Sequence, residues 1–204
     1  MDLVEPVQRH VTHAAARLGS NSSFTAVLGD VRSLQFIDSA FDAVLLLGPL
    51  YHLVERSDRM QAWSEVRRVV KPCGVVFAAA ISRFASLFDG LANEWLVEAE
   101  FRTIVDLDHS AGAHRNPHRR PGWFTTAYFH RPEELRIEAE EAGLTVRELV
   151  GVEGLAGWLQ HLEGRWEDTD DRSVIIDAAR RIGNEPSLLG LSAHILAVTV
   201  EPAV

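Results

Sequence analysis

The chain has 204 residues, enough for one sizeable core and too few to require two full domains. Apolar residues make up 47% and charged residues 24%, with a formal net charge of -9; that balance argues against binding a phosphate backbone and leaves a small molecule as the expected partner. No apolar run is long enough to span a bilayer, the first residues lack the basic and apolar segments of a signal peptide, and the lone cysteine, Cys73, cannot form an internal disulfide. The expectation is a cytoplasmic protein with no nucleic-acid and no membrane partner.

Val7, Val11, Ala14 and Leu18 recur at helical spacing behind Pro6, and Gly19 suits a C-terminal cap, so the spacing predicts a helix over 6–18. The β-prone run 24–28 ends at Gly29-Asp30, and the apolar run 41–47 stops abruptly at Gly48-Pro49; both read as buried strands. Met60, Trp63, Val66 and Val70 return to the helical period, and "KPCG" at 71–74 is expected to stop that helix before a second apolar strand over 75–81. Residues 82 to about 130 break the rhythm with mixed aromatic and basic content, which predicts a cap insertion over the ligand edge of the sheet. A helix over 132–142 capped by Gly143, a strand over 144–150, a helix around 171–182 and a closing strand near 194–200 follow. Short continuously apolar strands between amphipathic helices call for a sheet covered on both faces, the α/β class, in one domain over 1–204.

In open α/β sheets, ligands sit beyond the carboxyl ends of the strands, so the residues there carry the functional expectation. Gly48-Pro49 exposes bare backbone at that edge and delivers Tyr51 and His52 beyond it, either as the wall of a site or as a local turn. Glu5 follows Leu3-Val4 just before a helix, a position for gripping ribose hydroxyls or simply for meeting the helix dipole. Asp30 could accept from an adenine amino group while the Val31 backbone meets the ring edge, or it could only form a turn. In the insertion, His109, His114 and His118 with Arg115, Arg119, Arg120 and Trp123 could line an acceptor pocket, hold an anionic group or form a solvated lid. Their irregular spacing argues against a metal site, and Cys73 reads as structural.

The segments "DLVEPVQRHVTHA", "GDVRSLQFIDSAFDAVLLLGPLYHL" and "EVRRVVKPCGVVF" resemble, in order and spacing, elements of the class I S-adenosylmethionine-dependent methyltransferases. The resemblance is most specific over residues 1–81, and "EPSLLGLSAHILAVTV" resembles the closing strand of a subset of these enzymes. It implies a Rossmann-like, parallel-majority sheet with helices on both faces. It also implies S-adenosyl-L-methionine as cofactor, with Glu5 on ribose, Asp30 and Val31 on adenine and Gly48 on the methionine portion. Tyr51 and His52 would face a small-molecule acceptor, His52 as the candidate base. A non-catalytic, methyltransferase-like binding protein is the alternative, and a nicotinamide-dependent dehydrogenase a weaker one. The family's opening strand and Gly-x-Gly-x-Gly loop have no counterpart here, since no glycine precedes Gly19. That central strand is expected to be missing between the strand of Glu5 and the strand ending at Gly48, leaving two open edges, lost activity and self-association.

Overall fold

The computed structural model describes residues 1–18, 23–159 and 161–203. The predicted Gly19 cap lies outside them. In chain order the elements are β1 (Asp2–Glu5), α1 (Gln8–Leu18), β2 (Thr25–Leu28), β3 (Phe41–Leu47), α2 (Pro49–His52), α3 (Arg56–Val69) and β4 (Val70–Ser82). They continue with α4 (Ala85–Ala92), α5 (Ala99–Ala111), β5 (Ala113–His114), β6 (Ala127–His130), α6 (Pro132–Glu141), β7 (Thr145–Gly151), α7 (Leu162–Glu167), α8 (Thr169–Ile182) and β8 (His194–Val200).

Six strands form the main sheet in the order β5-β6-β4-β8-β7, with β3 also paired to β4. β3 and β6 pair with β4 in parallel, while β8 pairs antiparallel with both β4 and β7 and β5 antiparallel with β6, so most ladders of the main sheet are antiparallel, not the parallel majority that the resemblance implied: β8 runs back between β4 and β7. Ala79 pairs with Leu47 of β3 and Leu196 of β8, whereas Ile81 pairs with Phe129 of β6 and His194 of β8. β6 therefore takes over the edge of β4 where β3 leaves it. The abrupt stop at Gly48-Pro49 turns the chain off an edge that another strand occupies.

Two expectations need correction. "KPCG" does not separate helix from strand: β4 already begins at Val70, and the four residues are an excursion within it. The Cys73 N–H donates to the Glu201 carbonyl at 3.0 Å and the Glu201 N–H to the Gly74 carbonyl at 3.0 Å, which keeps the excursion in the sheet while Cys73 takes a φ of 63°. The insertion is not irregular either, since α4 and α5 fill much of it. Phe101, Ile104 and Val105 form the apolar stripe of α5, masked in the sequence by intervening charges.

The core lies on one face of the sheet, where Leu46, Val76, Ala78, Ala80, Ile195 and Ala197 meet Trp63 and Val66 of α3 and Leu135 and Ala139 of α6. On the opposite face Ile175, Ile176 and Ala179 of α8 share a cavity with Glu148 and Val150 of β7, and Leu45 and Leu47 of β3 remain 61% and 58% exposed. β1 and β2 pair in parallel as a separate two-stranded sheet, and among the described residues no ladder joins β1 to β3. Among the described residues, one edge of β1 and one edge of β3 pair with no strand.

Candidate functional site

Glu5, Asp30 and Gly48 stand at or just past the carboxyl ends of β1, β2 and β3. Glu5 Oε1 accepts from the Val7 N–H at 3.1 Å and lies 3.0 Å from His10 Nδ1, while Oε2 has no bond to a described residue. Asp30 is held by the Arg32 guanidinium at 2.6 Å, and that bond keeps its carboxyl below the usual range. The same guanidinium bonds Asp58 of α3 at 3.0 Å. Glu65 of α3 accepts from the Leu34 N–H at 2.8 Å, and Arg68 donates to the Phe36 and Leu34 carbonyls. Side chains of α3 thereby hold the loop after β2, and Val31 packs against the main core.

Gly48 has a φ of 146°, a backbone region that other residues strongly avoid. A Cβ placed there would lie 3.5 Å from the Tyr51 hydroxyl, so that hydroxyl curls back over bare backbone. Tyr51 packs against the Ile81, Ala127 and Phe129 cluster, and burial pushes its phenol up, which keeps it a hydrogen-bond donor at neutral pH. His52 is exposed, its ring 4.8 Å from Tyr51 and stacked on Phe124 at 6.3 Å. Tyr51 and His52 thus follow β3 directly as the last two residues of α2.

Directly behind them lies a buried polar group that sequence reasoning missed. Arg59 grips Glu138 through Nε at 2.9 Å and Nη2 at 2.8 Å, and donates from Nη1 to the Leu53 and Val54 carbonyls at 3.1 and 2.7 Å. Its guanidinium lies 3.6 Å over the Tyr128 ring. His130 Nε2 approaches Glu138 at 3.3 Å, and burial pushes the His130 imidazole down. Burial alone would raise the Glu138 carboxyl, yet bonds from His130 and Arg59 bring it below its ordinary value. The signal was present: Arg59 falls four residues before Trp63 on the buried stripe of α3.

The insertion residues separate into two groups. His118 and Arg120 are exposed or half-exposed and paired with Glu100 and Glu98, and Arg120 covers Trp123. His114 and Trp123 are 1% and 3% exposed, so this part of the insertion is a packed wall rather than a solvated lid. His114 Nδ1 lies 2.9 Å from Asp108 Oδ2, its ring stacked on Phe129 at 4.7 Å and 6.3 Å from Phe124. Phe124, 43% exposed, also lies 6.4 Å from Tyr51, so one ring joins both histidines and the tyrosine into an aromatic cluster.

These features fit an S-adenosylmethionine site in part. The bare backbone of Gly48 and the Oε2 of Glu5, which bonds no described residue, are groups that a ligand could meet. The Asp30 carboxylate would share its remaining lone pairs between Arg32 and an adenine amino group.

Residues 1–78 match the methyltransferase domain family. A protein of Encephalitozoon cuniculi named as a methyltransferase is 46% identical over 48 residues, 24% of this chain and 23% of that protein, so the match spans less than a quarter of that relative's length. A S-adenosylmethionine-dependent methyltransferase from Methanosarcina mazei aligns with 100% of this chain and 82% of its own, at 14% identity and a TM-score of 0.60. Phosphoethanolamine N-methyltransferase 2 of Haemonchus contortus, solved in complex with S-adenosyl-L-methionine, aligns with 98% of this chain and 43% of its own, at 13% identity and a TM-score of 0.56. The chain carries the fold of the class I S-adenosylmethionine-dependent methyltransferases, and the match to the methyltransferase domain family extends over its first 78 residues.

Proposed function

We propose that the protein transfers a methyl group from S-adenosylmethionine to a small-molecule acceptor. Glu5 would hold the ribose, Asp30 and Val31 the adenine and Gly48 the methionine portion, with Tyr51 and His52 on the acceptor side. The observation that carries this reading is the sequence of strand ends: a carboxylate after β1, a second after β2 and bare backbone after β3, followed at once by an aromatic cluster. The bound cofactor supplies an electrophilic methyl group; the chain's own residues align the acceptor, exclude water and take up a proton. An imidazole of the aromatic cluster would take that proton, with the exposed His52 and the Tyr51 hydroxyl, a donor, facing the acceptor.

Calorimetry with S-adenosylmethionine tests the reading. Glu5→Ala and Asp30→Ala should each weaken binding by about fivefold or more, the effect of losing one hydrogen bond worth roughly 1 kcal/mol. Variants within about threefold of the parent would remove both residues from the site. The open edges of β1 and β3 favour a second reading, a methyltransferase-like protein that binds the cofactor weakly and does not turn over. Binding weaker than about 1 mM, or about 4 kcal/mol, would support that reading instead.

A further inference from the structure

Asp108 occupies the buried stripe of α5 beside Ile104 and Val105 and is itself 0% exposed. Its Oδ2 accepts the Ser86 hydroxyl at 2.6 Å and lies 2.9 Å from His114 Nδ1. Gly112, at a φ of 69°, turns the chain from α5 into β5 and brings His114 back against Asp108 of α5. No side chain fits at that turn, because a Cβ would sit 2.6 Å from Arg83 Nη2 and 2.6 Å from the Phe129 carbonyl.

With Nδ1 committed to Asp108, His114 has one polar atom left. That atom, Nε2, is buried and bonded to nothing among the described residues. Buried polar atoms are nearly always satisfied; Asp108 Oδ1 beside it is open as well, so the Asp108–His114 pair carries two buried polar atoms with room for a partner from outside the chain, Nε2 being the one on the ring stacked on Phe129. His130 Nδ1 is open too, but its ring belongs to the Arg59–Glu138 group, whereas His114 reaches Tyr51 and His52 through Phe124. Phe124, 43% exposed, is the ring that stands between His114 and His52, whereas Phe129 behind it is 2% exposed.

We infer that His114, oriented by Asp108, is the group that receives the proton of the methyl acceptor, and that the acceptor is a small amine or hydroxyl compound with an apolar body seated against Phe124. The inference rests on the methyl-transfer reading. The acceptor's nitrogen or oxygen lone pair forms the new bond to the methyl carbon, and the carbon–sulfur bond breaks with its electron pair staying on sulfur. The acceptor's N–H or O–H proton passes to His114 Nε2, while Asp108 keeps the Nδ1 proton and balances the imidazolium charge. A carboxylate behind the imidazole fixes the tautomer that leaves Nε2 as acceptor. His52, on the exposed side of Phe124, then lines the acceptor rather than taking its proton.

The test uses the full chain labelled with 15N-histidine, S-adenosylhomocysteine as cofactor product, and phenol and benzylamine as acceptor probes. In the free protein, His114 should show a protonated Nδ1 and an unprotonated Nε2. With S-adenosylhomocysteine present, phenol or benzylamine should shift the Nε2 resonance. His114→Gln should weaken probe binding by about tenfold while S-adenosylhomocysteine affinity stays within about threefold. Asp108→Asn should abolish the fixed tautomer. The spectrum of the unsubstituted chain decides the matter even if a variant fails to fold. Retained S-adenosylhomocysteine binding with an Nε2 resonance that neither probe moves would overturn the inference and leave the methyl-transfer reading standing. Absence of S-adenosylhomocysteine binding would overturn that reading and the inference with it.

Discussion

At the scale of single residues, the least expendable charge is Arg59. It is 1% exposed, and every nitrogen of its guanidinium is spent: two on Glu138, the third on the carbonyls that follow Tyr51-His52. A buried ion pair adds little net stability over an apolar pair, yet removing one partner strands the other charge at a cost of roughly 3–5 kcal/mol. Arg59→Met should therefore lower unfolding stability by about that amount in urea titrations. Arg59→Met combined with Glu138→Leu should recover a large part of it, because neither charge is then stranded. An additive double variant would mean that the cost comes from the Leu53 and Val54 carbonyls alone. Those carbonyls anchor the turn beyond α2, so the single variant should also disturb Tyr51 and His52.

At the scale of elements, one carboxylate ties the loop after β7 to the start of β8. Glu153 accepts from the Ser192 hydroxyl at 2.7 Å and the His194 N–H at 3.0 Å, with His194 Nδ1 at 2.5 Å. Burial alone would raise the Glu153 carboxyl, but these bonds bring it from 4.5 down to about 2, so its contribution is present above 4.5 and lost as pH falls toward 2. The bond to Glu153 raises the His194 imidazole above 6.5, so that contribution is present below 6.5 and lost as pH rises through the raised value. The Tm difference between the parent and Glu153→Gln should be largest between pH 4.5 and 6.5 and narrow on both sides; a difference that is flat with pH would mean the two groups are not linked. No part of this pair was legible in the sequence, because 41 residues separate its members. β3 and β8 were read to their end residues, since continuous apolar runs bounded by Gly-Pro or charge admit little else. β4 and the insertion were not. A bulge held by Glu201 hides a strand inside a turn-like tetrapeptide, and Asp108 or Arg59 on a buried stripe looks like solvent-facing charge until partners arrive from distant elements. The three strand-end residues were legible because a sheet fixes where its strands end, whereas the Asp108–His114 contact depends on a glycine turn that spacing alone does not specify.

At the scale of the molecule, the decisive feature is what β3 leaves open. One edge pairs with β4, and among the described residues the other edge pairs with nothing. Leu45 and Leu47, 61% and 58% exposed, extend the open edge into an open face, and Leu28 at the end of β2 is 56% exposed. Proteins guard such edges with lysine, proline, bulges or a covering element, because unpaired backbone groups beside apolar side chains recruit another strand. β3 has only Asp42 near its start, paired with Lys71 at 2.8 Å, and no guard from Ala43 to Leu47. The net charge of -9 opposes close approach of two copies, but surface charges farther apart than about 10 Å are largely screened at ordinary salt. The chain should therefore self-associate at micromolar concentration, more strongly as salt rises, through two copies of β3 meeting across a two-fold axis. Sedimentation velocity over a concentration series measures this directly. Leu45→Lys should shift the population to monomer with a stability change of no more than about 0.5 kcal/mol, as expected for an exposed position. Leu155→Lys, equally exposed at 54% but away from β3, should leave association unchanged. A parent chain that sediments as a monomer across the series, or a Leu45→Lys variant that associates as strongly as the parent, would mean that the β3 edge is not the contact.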